Sequence, residues 1–109
     1  MVKGMDEVIE IQSKDYWFKV VDMGQQNWAL IDLLPSGSCS VFFIGGTSGI
    51  FDAILFESAE QASMALKRNG FSKYADDRQA QQFMCPPEPP FHRHIHPNGL
   101  IYSSGRYWR

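Results

Sequence analysis

The stretch from residue 50 to residue 71 constrains the fold more than any other part of the sequence. It begins with IFDAILF, a short and almost wholly apolar run that is typical of a strand covered on both faces. Ser58 follows, with a glutamine three residues later, which is the spacing of a capping box at a helix start. Gly70 ends the helical pattern, and Phe71 stands where a Schellman cap makes its apolar contact. The stretch predicts a buried strand, a helix over 58–69 and a glycine stop.

The residues before this stretch favour a series of short strands separated by turns. Aromatic and β-branched side chains indicate strands over 8–12, 16–23, 28–34 and 39–44, which the apolar run over 50–56 follows. Their short connections are typical of antiparallel neighbours. We therefore predict one α+β domain over 1–109: an antiparallel β-meander of four to five strands with one main helix. A weaker second helix is expected over 76–84, and a C-terminal β-hairpin from 91–95 and 100–103.

Both faces of the predicted sheet are largely apolar. On the strand over 16–23, for example, Trp17 and Phe18 point to opposite faces. Four strands at about 4.8 Å make a sheet roughly 19 Å wide, and two helices of about 10 Å each cover one face of it. The second face then has to be covered by the C-terminal tail, by a second subunit or by a ligand. A homodimer through this sheet face is the predicted alternative to a tail that packs there, since large apolar patches rarely stay exposed.

Composition and charge restrict the class of protein. The chain has 109 residues and a net charge of −2, and it has no run of about 18 apolar residues that would span a membrane. The N-terminus lacks the apolar block of a signal peptide, so we expect a cytoplasmic protein in which Cys39 and Cys85 stay unpaired. Residues 85–109 are mildly basic and the remainder is acidic, a balance that argues against nucleic acid as a partner.

Three alternating histidines are the sharpest chemical feature of the sequence. On a strand, His92, His94 and His96 would place their imidazoles on one face. Three imidazoles suit zinc or nickel and leave a position open for water, and imidazoles also serve as general acids and bases. Catalytic zinc sites generally draw ligands from more than one element, and Pro97 bends the chain beside His96. We therefore favour a solvent-facing edge strand without a cofactor, and keep a metal site as the alternative.

A run of prolines, PPEPP, covers residues 86–90. It must run extended, close to polyproline II. Its overlapping P-x-x-P pairs fit the aromatic groove of a partner domain. A stiff spacer that carries the chain across the sheet explains the run without a partner, and this is the interpretation that we favour.

The predicted function depends on the segment FHRHIHPNGLIYSSGRYWR, which ends the sequence. Arginine and aromatic residues of the kind found there dominate contact surfaces, so we predict a small binding or interaction module for a ligand or a partner protein. The alternative is a small hydrolase, nuclease-like or metal-dependent, that uses the three histidines. The predicted surface consists of His92, Arg93, His94, His96, Tyr102, Arg106 and Tyr107. In size, plan and the style of this tail the chain resembles the small orphan proteins of mobile gene cassettes, the integron cassette type, and the resemblance implies no functional residue.

Overall fold

The computed structural model describes residues 8–22, 25–45 and 48–93, together with Tyr102 and Trp108. The described elements are β1 (Val8–Ile9), β2 (Tyr16–Asp22), β3 (Gln25–Leu33), β4 (Cys39–Ile44), β5 (Gly49–Phe56), α1 (Ala59–Arg68), β6 (Ser72–Lys73), α2 (Arg78–Phe83) and β7 (Phe91–Arg93). A short 3-10 turn over Tyr74–Asp76 precedes α2. No helix in these ranges is long and apolar enough to cross a membrane. The predicted α+β class and both predicted helices are confirmed.

The described strands form one mixed sheet in the order β1-β7-β5-β4-β3-β2-β6. From β2 to β5 each strand pairs antiparallel with the next, so the predicted meander is confirmed. The prediction of a purely antiparallel sheet is wrong, because β7 pairs in parallel with β5. The predicted number of strands is also too small, because the short strands β1, β6 and β7 extend the meander at its two ends.

The predicted C-terminal hairpin is wrong as well. β7 lies between two strands: Phe91 is opposite Ile9 of β1, and His92 is paired with Gly49 of β5 on the other side. Both edges of β7 are therefore occupied, which leaves no place for a hairpin partner and means that β7 is not an edge strand. Apart from Tyr102, the predicted return strand lies outside the described residues.

Local sequence explains both ends of α1. The Ser58 hydroxyl accepts a hydrogen bond from the backbone N–H of Gln61 at 3.1 Å, as expected of an N-cap. At the other end Gly70 adopts a φ of +90°, and the backbone N–H of Phe71 donates to the Leu66 carbonyl at 2.9 Å. This is the predicted Schellman arrangement, and it turns the chain so that Phe71 packs back into the core.

We call the side of the sheet that carries Val41 and Phe43 the α1 face. Two alanines and Leu66 form the buried stripe of α1 that lies on this face. Tyr102 and Trp108 complete the packing. The Tyr102 ring stacks on the Phe43 ring with centroids 4.3 Å apart, and the Trp108 ring meets the Phe43 ring edge-on with centroids 5.2 Å apart. The α1 face is therefore covered by a helix and by two aromatic side chains from the C-terminal segment.

We call the opposite side, which carries Trp28 and Leu30, the proline face. The chain from 74 to 91 covers it, and Ala80 of α2 and Phe91 of β7 belong to this second core. The prediction that both helices cover one face is therefore wrong, because each helix lies on a different face. The uncovered face that the homodimer prediction assumed is covered by the chain itself, and the homodimer stays a prediction.

A buried carboxylate of β5 lies on the α1 face, where Asp52 pairs with Phe43 of β4. The pairing with β4 shifts by one residue at Phe51, which bends the strand locally. Asp52 is buried, and its carboxylate accepts hydrogen bonds from the backbone N–H groups of Ala53 at 2.8 Å and Tyr102 at 2.6 Å. Asp52 therefore fastens the C-terminal segment to the sheet at Tyr102.

Candidate functional site

The residues predicted to form a contact surface do not all lie in the described part of the chain. His92 and Arg93 are in β7, and Tyr102 is in the core of the α1 face. The other four lie outside the described residues: His94, His96, Arg106 and Tyr107. A ligand or partner surface made by these four stays a prediction.

His92 is half-buried within the sheet. Its backbone N–H donates to the Ser48 carbonyl at 3.0 Å. Because Phe91 points into the proline-face core, His92 points to the α1 face and Arg93 to the proline face. The Nδ1 atom of His92 is enclosed and has no hydrogen-bond partner among the described residues. No cluster of three or more His, Cys, Asp or Glu side chains suited to a metal ion occurs in these residues, and the metal alternative stays a prediction.

Tyr102 is a core residue and not part of an exposed surface. Its side chain is 8% exposed, and its hydroxyl accepts a hydrogen bond from Asn27 Nδ2 at 2.6 Å. The pKa of the Tyr102 phenol is raised above its ordinary value. Burial is the main cause, the Asn27 hydrogen bond acts in the opposite direction, and the nearby Asp52 carboxylate adds to the increase. Tyr102 thus secures the chain to the sheet.

A groove on the proline face is the strongest candidate for a binding site. One wall is made by residues 11–16, which lead into β2, and the other by residues 85–91, which lead into β7. We call this cavity the proline groove. Its volume of about 500 Å³ falls within the range of about 300–1,000 Å³ that is usual for small-ligand sites.

The two walls are held by hydrogen bonds from side chains to the proline-rich segment. The Tyr16 hydroxyl donates to the Pro87 carbonyl at 2.6 Å, and the Ser48 hydroxyl donates to the Glu88 carbonyl at 2.7 Å. Because proline residues have no backbone N–H to donate, the segment depends on these side-chain donors to fix its path across the sheet. The groove is therefore preformed.

The floor of the proline groove is apolar. Phe91 is 2% exposed and lies against the groove together with Ile11, Tyr16 and Pro86. The Tyr16 ring also packs edge-on against Trp28, with centroids 6.1 Å apart. This floor is continuous with the second core, so it gives a ligand a rigid surface to pack on.

Two opposite charges line the groove from its two walls. Lys14 lies on the wall that leads into β2, and Glu88 lies on the proline-rich wall. Within the described ranges one ion pair occurs, between Lys73 and Asp15 at 3.7 Å. Lys14 and Glu88 therefore have no ion-pair partner in these ranges. Burial, and then the negative charge of Glu88, raise the pKa of the Tyr16 phenol. The Glu88 carboxylate therefore acts on the aromatic part of the groove.

The two cysteines differ in a way that is useful for experiments. Cys85 is exposed and lines the groove. Cys39 is fully buried, its thiol donates to the Ser58 carbonyl at 3.3 Å, and burial raises its pKa. Both thiols are free, so Cys85 can report on the groove without interference from Cys39 in the folded protein.

Two further cavities are lined by described residues. One, of about 500 Å³, adjoins the proline groove and shares Ile11, Gln12 and Pro89 with it. The other, of about 370 Å³, lies beside α1 and is lined by Met64 and Trp108 among others. The proline groove is the better candidate because side-chain hydrogen bonds fix its walls and because residues of opposite charge line it together with apolar side chains.

Comparison with protein-family models, with curated proteins and with solved structures finds no match to this chain. The assignment of the site therefore depends on geometry.

Sequence reasoning missed the proline groove and concentrated on the histidines. The useful signal was the run over 86–90, which leads from α2 to β7 as the spacer interpretation requires. A run of prolines is stiff, because each ring fixes its backbone φ, and without backbone N–H groups it cannot pair as a strand with the sheet that it crosses. Such a run indicates space between itself and the sheet, and Tyr16 is a residue that supports it.

Proposed function

We propose that this protein is a small binding module that holds an organic ligand with an apolar body in the proline groove. The observation that carries the proposal is a preformed groove with Phe91 in its floor and with walls fixed by Tyr16 and Ser48. Largely apolar cavities of this size, with a few polar groups at defined places, are the usual form of small-ligand sites.

The proposal keeps the binding module that the sequence predicts and moves its site from the C-terminal segment to the proline groove. The position of Tyr102 supports this change, because its ring stacks on Phe43 in the core of the α1 face and its hydroxyl is bonded to Asn27. The homodimer, the cytoplasmic location and the likeness to integron cassette proteins stay predictions. The hydrolase alternative also stays a prediction, since two of its three histidines lie outside the described residues.

The test uses Cys85 as a reporter of occupancy. The rate at which DTNB modifies Cys85 is measured with and without benzyl alcohol or tryptophol at millimolar concentration. Both probes are neutral, so they test the apolar floor alone. We expect a severalfold slower reaction when a probe occupies the groove, while the buried Cys39 reacts only on unfolding.

A matched pair of variants distinguishes the groove from other surfaces. Ile11→Trp fills the groove and should abolish the effect of the probes on Cys85. Met64→Trp places the same side chain beside α1, where Met64 is exposed, and should leave the effect unchanged. Each rate is compared with that of the same variant without probe, after thermal unfolding has shown that the variant is folded. Equal protection in both variants, or none in the wild-type protein, would contradict the proposal.

A further inference from the structure

We infer that the ligand of the proline groove is a zwitterion with an apolar body, of the class of an apolar α-amino acid. The inference rests on the proposed function and adds the charge pattern of the ligand. It is carried by the presence of Lys14 on one wall of the groove and Glu88 on the other, together with the apolar side chains that line it.

The Glu88 side of the groove suits an ammonium group. The backbone of Glu88 is held by the Ser48 hydroxyl, which fixes the point from which its side chain extends. Its carboxylate raises the pKa of the Tyr16 phenol in addition to the effect of burial, which places the negative charge near the aromatic wall. A carboxylate and an aromatic ring both attract a cation.

The Lys14 side of the groove suits a carboxylate. Lys14 lines the opposite wall and makes no ion pair within the described ranges. A ligand with a single charge gains one attraction and meets a like charge across the groove, whether it is a cation or an anion. A zwitterion places each of its charges beside an opposite one, so the two protein charges select for both of its groups together.

The apolar floor requires an apolar body beside the charged groups of the ligand. Ile11, Pro86 and Phe91 line the groove. Their side chains carry no charge and no hydrogen-bonding group, so they suit an apolar part of the ligand. A volume of about 500 Å³ accommodates an aromatic or branched side chain together with its charged head group. Glycine has the same charges without this side chain and should bind more weakly.

Four probes separate the parts of the inference: L-phenylalanine, phenethylamine with only the ammonium, 3-phenylpropanoate with only the carboxylate, and glycine. Affinities are measured by titration calorimetry, and occupancy by the rate of Cys85 modification. We expect L-phenylalanine to bind about tenfold or more tightly than each of the other three.

Charge-removing variants then test which residue recognises which group. Glu88→Gln should reduce the affinity for L-phenylalanine to that for 3-phenylpropanoate, and Lys14→Gln should reduce it to that for phenethylamine. The matched controls Glu60→Gln and Lys67→Gln remove the same charges from exposed positions on α1. They should leave the order of the four affinities unchanged.

The outcomes separate this inference from the proposed function. If the neutral alcohols protect Cys85 but L-phenylalanine binds no more tightly than the singly charged probes, the zwitterion is overturned and the proposed function stands. If neither the alcohols nor the charged probes protect Cys85, the proposed function fails and the inference fails with it.

Discussion

The two faces of the sheet are covered in different ways. The α1 face is covered by a helix whose Leu66 is fully buried and by aromatic rings around Phe43. The proline face is covered by the short helix α2, which buries Ala80, and by an irregular segment held at the carbonyls of Pro87 and Glu88. A helix satisfies its own backbone and brings a continuous apolar stripe to the sheet. A proline-rich segment lacks internal hydrogen bonds, meets the sheet at separate points and leaves a groove.

The difference separates stability from recognition. Close packing on the α1 face fills space with side chains, and this is what stabilises a small domain. The supports of the proline-rich segment hold a space open. Substitutions on the α1 face should therefore act mainly on the free energy of unfolding, while those around the groove should act mainly on what the groove admits.

The comparison is tested most severely at two buried phenylalanines, one on each face. Phe43→Ala should lower the free energy of unfolding by about 3–5 kcal/mol, because Phe43 is fully buried against Tyr102 and Trp108. Phe91→Ala should cost about 1 kcal/mol less, because the space it leaves joins the groove and admits water. Urea unfolding measures both. Phe83, at 77% exposure, gives a control whose change to alanine should stay within about 0.5 kcal/mol. A greater loss for Phe91→Ala than for Phe43→Ala would reverse the comparison.

A second test removes the carboxylate on the α1 face. Asp52→Ala should lower the free energy of unfolding by about 1–3 kcal/mol, because the N–H groups of Ala53 and Tyr102 lose their acceptor. Urea unfolding gives the loss, and limited proteolysis shows whether the chain around Tyr102 becomes accessible. The exposed Asp76 provides the control variant Asp76→Ala. Equal stability of the two variants would mean that Asp52 does not secure the C-terminal segment.

On the proline face the corresponding support is the Tyr16 hydroxyl. Tyr16→Phe removes its hydrogen bond to Pro87 and should cost about 0.5–1.5 kcal/mol of unfolding free energy. The same variant should speed the modification of Cys85, because the proline-rich wall loses a support. Hydrogen exchange in α1 serves as the internal control and should not change. An unchanged rate at Cys85 would show that other contacts hold this wall.

The smallest effect at neutral pH concerns the two phenols. Burial is the main cause that raises the pKa of both Tyr102 and Tyr16 above the ordinary value of 10.0. Each phenol then favours the folded state while it is neutral, so its contribution is complete below about pH 10 and is lost as the pH rises through the raised pKa. Tyr102 is the more buried, so Tyr102→Phe should reduce the alkaline loss of stability more than Tyr16→Phe does. Urea unfolding at about pH 8 and about pH 11 measures this, and identical pH dependence in all three proteins would be the contrary result.

The parts of the fold that the sequence predicts are those fixed by near neighbours in the chain. The cap at Ser58 and the stop at Gly70 and Phe71 depend on partners only a few residues away. The meander follows from short connections between strands. The position of β7 has no such signal, because it depends on pairing with β1, near the other end of the described chain. The local pattern therefore indicates that residues 91–93 form a strand, but it does not indicate between which strands of the sheet this strand lies.

The candidate site was less predictable than the fold for the same reason. The groove depends on the hydrogen bond from Tyr16 to Pro87, which are 71 residues apart. Histidine side chains can be identified in a sequence by residue type, whereas a groove is defined by the space between two segments that are distant in the chain. The proline run predicted a stiff path across the sheet, but neither its supports nor the charges of Lys14 and Glu88 on facing walls follow from any local pattern.

The place of β7 also sets the order in which the sheet is completed as the chain is synthesised. Among the described strands β1 pairs with β7, so β1 leaves the ribosome long before the strand with which it pairs. The meander and α1 have local contacts and can form once Phe71 has emerged. Until β7 arrives, the outer edge of β5 at Gly49 and Ile50 is open to pairing with another nascent chain. Pairing with β7 therefore closes this part of the sheet edge.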